Sequence, residues 1–496
     1  MKNSYTLFIN GQLCEAKSAA RKDVINPATG EAIASVPLAG KEDIRQAIEA
    51  ARLAYDQGPW RYFSFAQRKE YIRKISQGIL DNAFDLARIE SENTGKPSKE
   101  TTFMDIPSSG ATFEYFADHL EEFLKKKNVP LAAEAESELF YEPWGVAALI
   151  VPWNYPLLIA SWKMAQALAA GNTVVLKPSS LTPLSVLKLG EIISQTGLPP
   201  GVVNIINAPG GDVGPVLCAD PRIDMISFTG SPEVGKEIMR YAADTAKKVI
   251  MELGGKSASI ILDDADLDTA VRGALTSIFL NQGQMCTAMS RILVSRTISK
   301  DFIKQFVVKA KKIKIGFPSD PGTQIGPLIS KGQRDKVLAF IEKGKQEGAR
   351  LMCGGKIPDA KELQKGNFFE PAVFTGVTPD MSIFQEEIFG PVACLCEFEN
   401  EEEAVSLANN SQFALAACIW SGDPERAKNL ATKIDAGTIW INTYGMFHNE
   451  APYGGFKQSG FGKELGQEGF HEYTRLKHVN RDTSTGKPLV SGWYAF

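Results

Sequence analysis

The sequence predicts an α/β protein in which a doubly wound parallel sheet is followed by a second α/β domain. Two observations carry this reading. From Val146 to Met251, short apolar runs alternate with amphipathic stretches in the order strand then helix, and beyond Gly254-Gly255 the same alternation restarts. Parallel neighbours need a long connection, and a helix crossing right-handed over the sheet supplies it. At ~150 residues per domain, the 496 residues hold about three folding units.

The elements follow in order. Leu7-Phe8-Ile9 runs into Asn10-Gly11, a tight-hairpin signal, and Asn26-Pro27-Ala28-Thr29-Gly30 marks a second turn. Apolar spacing of three to four predicts helix over 43–54 and from 67 to 94. In the first alternating set, 146–151, 173–176, 202–206, 225–228 and 249–251 read as strands. The stretches 162–170, 184–196, 213–219 and 233–243 read as the helices between them. The second set runs through strand 260–262, helix 267–280, strand 292–294 and helix 300–312, with further strands near 392–396 and 438–442. Segment 138–141 and the tail after Lys477, with its apolar end Trp493-Tyr494-Ala495-Phe496, belong to neither core. In open parallel sheets ligands sit beyond the carboxyl ends of the strands, so the loops there are where chemistry is sought.

Composition removes several function classes. A hydrophobic fraction of 44% and a charged fraction of 23% are ordinary for a globular protein and exclude disorder, coiled coil and collagen-like folds. A net charge of −4 provides no basic field for a polyanion, so no nucleic-acid partner is expected, and Lys125-Lys126-Lys127 reads as a solvated face. The seven cysteines (Cys14, Cys218, Cys286, Cys353, Cys394, Cys396, Cys418) include no CxxC pair. That argues against a metal site or a disulfide framework and for a reducing compartment. The start, Met1-Lys2-Asn3-Ser4-Tyr5, lacks a signal peptide's apolar core, and no apolar run reaches spanning length. A cytoplasmic protein without a membrane partner is expected.

Three local patterns bear chemistry. Gly230-Ser231-Pro232-Glu233-Val234-Gly235-Lys236 has the GxxxxGK form after a strand, but Glu237 stands where a P-loop needs Ser or Thr. That argues against an NTPase or kinase. The helix N-terminus there still suits a dinucleotide pyrophosphate, the plain alternative being a glycine-bearing turn. Asn281-Gln282-Gly283-Gln284-Met285-Cys286-Thr287 places a cysteine just past a helix, as a nucleophile is placed, although lone cysteines are more often small buried hydrophobes. The four histidines (His119, His448, His471, His478) supply no Cys–His signature. Glu252, in Met251-Glu252-Leu253-Gly254-Gly255, ends a strand; burial would raise its pKa toward that of a general base, against the blander reading of a cap or ion pair.

These patterns gain force jointly. Pro152-Trp153-Asn154, Lys177-Pro178, Phe228-Thr229-Gly230-Ser231, Glu252-Leu253-Gly254-Gly255, Gly283-Gln284-Met285-Cys286 and Glu387-Ile388-Phe389-Gly390-Pro391 occur in that order. In this the chain closely resembles the NAD(P)-dependent aldehyde dehydrogenase superfamily over essentially its whole length. The resemblance implies a Rossmann-like cofactor domain (1–120 and 144–254), a catalytic domain (255–455) and a small β oligomerisation element (121–143 and 470–496) building a homodimer or homotetramer. It implies oxidation of a small-molecule aldehyde to a carboxylic acid. Cys286 would attack the aldehyde as thiolate, with the Asn154 amide and the Cys286 N–H holding the oxyanion. Hydride would leave for the nicotinamide, and Glu252 would activate the water that hydrolyses the thioester. Lys163 and Glu464 match a pair described as a proton relay in betaine-type members, a plain buried ion pair being the alternative.

For the cofactor, NAD or NADP, the resemblance implies Ile150, Val151, Pro152, Trp153, Lys177, Ser179, Ser180, Gly210, Gly214, Phe228, Thr229, Gly230, Ser231, Leu253, Glu387 and Phe389. NAD-preferring members usually read Lys-Pro-x-Glu, and here the run is Lys177-Pro178-Ser179-Ser180. Ser180 removes a carboxylate that would repel a 2′-phosphate but adds no cation, so NADP is permitted rather than required. For the substrate, Tyr155, Trp162 and Tyr453 echo the betaine aldehyde branch, whose rings would cage a trimethylammonium group by cation–π attraction. Leu280 stands where that branch often has tryptophan, and Phe447 at a mouth position where smaller residues are usual. An amino- or betaine-type aldehyde is expected, with broad aliphatic or aromatic aldehydes as the alternative. A silent structural member of the fold is disfavoured by Cys286, Glu252 and Asn154 occurring together.

Overall fold

The computed structural model describes residues 5–132 and 134–485; the apolar run 493–496 lies outside them. Five parallel strands form the centre of an 8-stranded sheet. Val146–Ile150 is in the middle, with Thr173–Lys177 and then Val203–Ile205 on one side and Met225–Thr229 and then Lys248–Glu252 on the other. Val146–Ile150 and Thr173–Lys177 are buried throughout, which is why they read as unbroken apolar runs rather than alternating ones. The chain reverses its direction of travel across the sheet between Val146–Ile150 and Met225–Thr229. That opens a crevice at their carboxyl ends, the place where such sheets bind ligands.

Both edges of this sheet are antiparallel. Leu7–Ile9 pairs with Gln12–Cys14 through Asn10 and Gly11, both at positive φ (53° and 77°), and Phe8 pairs with Ile205. At the other edge Gly460–Phe461 pairs with Lys248–Glu252. The second turn signal joins the hairpin Arg21–Ile25 and Ala32–Pro37. A 7-stranded sheet forms the second α/β unit, in the order Arg350–Cys353, Ala372–Thr375, Val392–Phe398, Arg291–Ser295, Ala258–Ile261, Ala416–Trp420, Thr438–Ile441. It is parallel except at the Arg350–Cys353 edge. The two segments that fitted neither core meet in a 3-stranded antiparallel sheet, where Thr474–Asp482 pairs with Ala135–Pro143 and places His478 opposite Leu139.

Several boundaries differ from the sequence reading. The helical stretch 67–94 is two helices, Phe65–Asp81 and Ala83–Thr94, broken at Asn82, whose side-chain amide donates to the Gly78 carbonyl at 2.8 Å. The helix expected over 162–170 begins at Pro156, with proline at its first position, and runs to Ala170. All of its residues but Leu158 are buried, so it lacks the polar stripe that marks a surface helix. The segment read as helix 213–219 is the widened turn Val213–Cys218, with Pro215, which has no N–H to give, inside it. The helix Ile106–Phe123 runs through residue 120, and Gly460–Phe461 returns to the first sheet from beyond residue 455. No described helix is long and apolar enough to cross a membrane, and the described residues hold no His/Cys/Asp/Glu group able to bind a metal ion. The seven cysteines are free thiols.

Candidate active site

Between the two large sheets lie two cavities that share Cys286, Thr229 and Leu253 in their walls. Cys286 reaches that junction through a tight turn. The helix Leu267–Phe279 stops, and Asn281, Gln282 and Gly283 follow at positive φ (48°, 58° and 70°). Left-handed conformations cost a non-glycine residue about 1–3 kcal/mol, so the turn must be held by its surroundings. The Gln282 amide donates to the Gly95 carbonyl at 2.8 Å, and the Asn281 amide to the carbonyls of Gln284 (3.2 Å) and Asn154 (3.3 Å). The Asn154 Nδ2 donates to the Gln284 carbonyl at 2.9 Å. These amides fix the Cys286 loop to the loop that follows Val146–Ile150. Asn154 Nδ2 keeps a second hydrogen available.

The Cys286 Sγ lies 3.2 Å from the Tyr453 hydroxyl. Burial pushes the thiol up to about 12; the Tyr453 hydrogen bond works against this, and the neighbouring Glu252 adds to it. Glu252 ends the strand Lys248–Glu252, is 3% exposed and lines the same cavity as Cys286. Burial first, and the charge of Glu464 second, hold its carboxyl well above the usual carboxylate range, with Lys163 and Lys463 opposing them. Its Oε1 is buried with no hydrogen-bond partner. A buried oxygen left unpaired costs about 1–3 kcal/mol, a cost that a water or substrate in the cavity would relieve.

Behind Glu252 stands a buried polar cluster. Lys163 is 0% exposed, and its Nζ donates to Glu464 Oε1 at 2.5 Å and to Ser227 Oγ at 2.7 Å. Glu464 also accepts from Ser227 (2.9 Å), Gln166 (2.8 Å) and the Tyr473 hydroxyl (3.2 Å). The backbones of Glu464 and Tyr453 exchange two hydrogen bonds of 2.7 Å, and Gly460, on the same ribbon, pairs with Glu252. One short ribbon therefore sets the positions of Tyr453, Glu464 and the strand bearing Glu252.

The smaller cavity, about 190 Å3, is mostly apolar and contains Tyr155, Trp162, Leu280, Phe447 and Tyr453. Trp162, Phe447 and Tyr453 touch pairwise, with ring centroids 5.3–5.6 Å apart (Trp162–Phe447 5.6 Å, Trp162–Tyr453 5.6 Å, Phe447–Tyr453 5.3 Å). Tyr155 is engaged differently. The Lys96 Nζ sits 3.2 Å from its ring centroid and forms a buried ion pair with Asp105 at 2.6 Å.

The larger cavity, about 430 Å3, follows the crevice of the first sheet. Every residue expected at the cofactor lines it except Ser180, which stands just beyond Ser179. Lys177, the last residue of its strand, is 8% exposed and its ammonium is pushed down to about 8 by burial and by Lys22. Ser231 caps the helix Pro232–Ala243 and accepts from the Val234 N–H at 3.4 Å. Gly235, the second glycine of the GxxxxGK pattern, packs where a Cβ would come within 2.6 Å of Leu253, so it serves helix-to-strand contact. At the far end Glu387 accepts from the Gly255 N–H at 2.9 Å and is pushed up to about 7 by burial. Gly254 leaves room for it, since a Cβ there would meet Glu387 Oε2 at 2.5 Å. Phe389, at φ 59°, packs edge-on to Trp153 at 5.2 Å. A cation at one end, a helix N-terminus in the middle and a carboxylate at the other match the ribose, pyrophosphate and ribose of a dinucleotide.

Comparison with known proteins agrees with this geometry. Residues 14–479 match the sequence profile of the aldehyde dehydrogenase family. The chain belongs to that family. It is 44% identical to a betaine aldehyde dehydrogenase of Bacillus subtilis, with 99% of each chain covered. It is 42% identical to a chloroplastic aminoaldehyde dehydrogenase of Arabidopsis thaliana, covering 98% of this chain and 97% of that one. Among solved structures, a betaine aldehyde dehydrogenase of Staphylococcus aureus in complex with NAD+ superposes with a TM-score of 0.96 at 40% identity, covering 99% of this chain and 98% of that one.

In this aldehyde dehydrogenase several pocket residues escaped the sequence reading. Gln333 and Lys336, from the helix Lys331–Gln346, reach the larger cavity, and Gln333 donates to the Phe389 carbonyl at 2.8 Å. Asp105 contributes a carboxylate to the smaller one. Lys22 donates to Ser180 Oγ at 3.2 Å, a neighbour the sequence did not point to. None of these carries a local signal, because each arrives from a distant element.

Proposed function

We propose that the protein oxidises an aldehyde to its carboxylic acid through a thioester on Cys286, with NAD as cofactor. The observation that carries this is the placement of the Cys286 thiol where the two cavities meet, with Glu252 buried and unpaired in the wall of the smaller one. The thiol gives its proton to solvent water entering the cavity, and the Tyr453 hydroxyl, donating to Sγ, stabilises the thiolate that results. The sulfur attacks the aldehyde carbon, and the oxyanion is received by the free N–H of the Asn154 amide and the Cys286 backbone N–H. Lys177 and Glu387 would hold the two riboses of NAD and Ser231 its pyrophosphate. NAD, when bound, supplies the acceptor for the hydride that turns the thiohemiacetal into a thioester. Glu252 then takes a proton from the water that attacks the thioester carbonyl, releasing the acid and the thiol. Glu464 accepts hydrogen bonds from Lys163, Ser227, Gln166 and Tyr473, which favours a fixed ion pair with Lys163 over a proton relay.

For the substrate, the rings of Trp162, Phe447 and Tyr453 favour an aldehyde ending in an amino or trimethylammonium group, in keeping with the names of the relatives. A second reading, uncharged aliphatic or aromatic aldehydes, is favoured by Lys96: it occupies one face of Tyr155 and draws electron density away from the other. A panel of aldehydes, scored by kcat/KM from the absorbance of reduced nicotinamide, decides between them. Failure of every aldehyde to turn over with an intact, cofactor-binding protein overturns the proposal. We further propose residues 1–120 and 144–254 as the cofactor domain, 255–455 as the catalytic domain, and the sheet of Ala135–Pro143 and Thr474–Asp482 as the oligomer contact. On that sheet the apolar Leu476 and Val479 are exposed.

A further inference from the structure

The left-handed turn Asn281-Gln282-Gly283 that delivers Cys286 carries a side chain the chemistry above does not use. Gln282 is buried, and its Nε2 donates to the Gly95 carbonyl at 2.8 Å. Its Oε1 is also buried and has no hydrogen-bond partner among the described residues. A side chain kept for packing alone would avoid both an orphaned oxygen and a left-handed backbone; such unfavourable features gather where a geometry is being enforced. The accepting carbonyl is held from both sides. Gly95 ends the helix Ala83–Thr94 at φ 83°, its N–H donating to the Ser91 carbonyl at 2.9 Å, while the Ser91 hydroxyl donates to the Lys96 carbonyl at 2.7 Å. The buried Lys96 is pinned in turn by Asp105 at 2.6 Å and by the ring of Tyr155, both in the wall of the smaller cavity. Gly326 makes room for the contact, since a Cβ there would collide with the Gly95 oxygen and with Gln282 Nε2.

We propose that Gln282 is a positioning residue for the reaction: its amide seats the turn on the Gly95 carbonyl and so sets the Cys286 sulfur against the wall that Asp105 and Tyr155 build for the aldehyde. This rests on the reading of Cys286 as the nucleophile. Gln282 lines neither cavity, so it acts through the turn and not by touching substrate or cofactor. The ties from Asn281 and Asn154 join the turn to the loop after Val146–Ile150, whereas the bond from Gln282 reaches the separate segment behind the substrate wall. Attack requires the sulfur about 3–3.5 Å from the carbonyl carbon and aligned with it, and a misplacement of about 1 Å can cost about a hundredfold in rate.

The test is the single-turnover rate of reduced nicotinamide, with the full chain and saturating NAD+ in excess over the best aldehyde of the panel. The step read then ends at hydride transfer, and hydrolysis is not seen. Gln282→Leu keeps the bulk and removes the donor; it should slow that rate by about tenfold or more and leave the dissociation constant of NAD+ within about twofold. Gln282→Glu makes the donor depend on a proton: the carboxylic acid can donate to the Gly95 carbonyl, whereas the carboxylate can only face it as a second acceptor. Burial raises the pKa of that carboxyl. The charged groups on the segment it meets are Glu100, beside the Asn281 N–H, which adds to the rise, and Lys96, whose charge Asp105 balances. The rate of Gln282→Glu should therefore match the unaltered enzyme at acidic pH and fall about tenfold below it as pH rises. A Gln282→Leu rate within about twofold of the unaltered enzyme overturns the inference. So does a Gln282→Glu rate in constant ratio to the unaltered enzyme at every pH, a measurement that stands even where Gln282→Leu fails to fold. Equal losses of rate, NAD+ affinity and melting temperature mark a merely structural role and overturn it too. No reduced nicotinamide from the unaltered, cofactor-binding protein with any aldehyde overturns instead the reading of Cys286.

Discussion

Replacing Glu252 by glutamine keeps the shape of the side chain and removes its capacity to take a proton. Glu252 is 3% exposed and its Oε1 has no partner, so the amide enters the same space without breaking a hydrogen bond at that oxygen. In the proposed reaction, attack by Cys286 does not require this carboxylate, whereas hydrolysis of the thioester does. General-base catalysis contributes about 10²–10⁴-fold, so deacylation should slow by that factor and become rate-limiting. Rapid mixing with cofactor and aldehyde should then show a burst of reduced nicotinamide of about one equivalent per active site, followed by a slow phase. The pH dependence gives an independent check. Because burial and Glu464 hold the Glu252 carboxyl above its usual range, its ionised fraction, and with it the deacylation rate of the unaltered enzyme, should climb as pH rises toward the raised value. The slow phase of the variant should lose that climb. Stability moves in the opposite sense. A carboxyl whose folded pKa lies above its unfolded value contributes stability that is full below the unfolded value and is lost as pH rises through the folded one. The melting temperature of Glu252→Gln should therefore fall less than that of the unaltered protein between mildly acidic and alkaline pH. Steady-state turnover within about tenfold of the unaltered enzyme, with no burst, would refute the assignment of Glu252.

Three further outcomes are expected. Cys286→Ala should abolish turnover while NAD+ still binds, measured by calorimetry beside the activity assay, because the proposed dinucleotide contacts run along Lys177, Ser231 and Glu387. Lys163→Met should destabilise the fold by about 3–5 kcal/mol in denaturant unfolding, since it leaves the Glu464 carboxylate buried without its cation; a change below about 1 kcal/mol would show the pair to be dispensable. Light scattering should report a particle of at least twice the 54.1 kDa chain mass, and a monomer at working concentration would exclude the proposed contact.

Legibility in the sequence followed the range of the interactions. The first sheet was readable because its central strands are short, largely buried apolar runs set apart by turn signals and helical stretches, so each announced itself within a dozen residues or fewer. Cys286, Glu252 and Asn154 drew notice because each stands in a loop or at a strand end with an unusual local composition. The helix from Pro156 was cut short in the reading because its burial on nearly every side leaves no periodicity to detect. The break at Asn82 rests on one amide turning back to Gly78, a signal too small to outweigh a continuous apolar stripe. Lys22 and Lys96 were beyond reach for a different reason. Each acts on a residue more than fifty positions away, Lys22 on Ser180 and Lys96 on Tyr155, and only folding brings them there.

The ribbon from Tyr453 to Glu464 has a mechanical consequence. It leaves the second unit, hydrogen-bonds to itself at Tyr453 and Glu464, and completes the edge of the first sheet at Glu252. A hinge that widened the gap between the two large sheets would have to bend elsewhere, because this strap ties the Tyr453 phenol beside the Cys286 sulfur to the Glu464 carboxylate behind Glu252. Glu387 and Phe389 lie outside the strap: Glu387 accepts from the Gly255 N–H just beyond the first sheet, and Phe389 packs edge-on to Trp153. The strap therefore constrains the Tyr453 side of the gap and leaves the Glu387 side outside its reach.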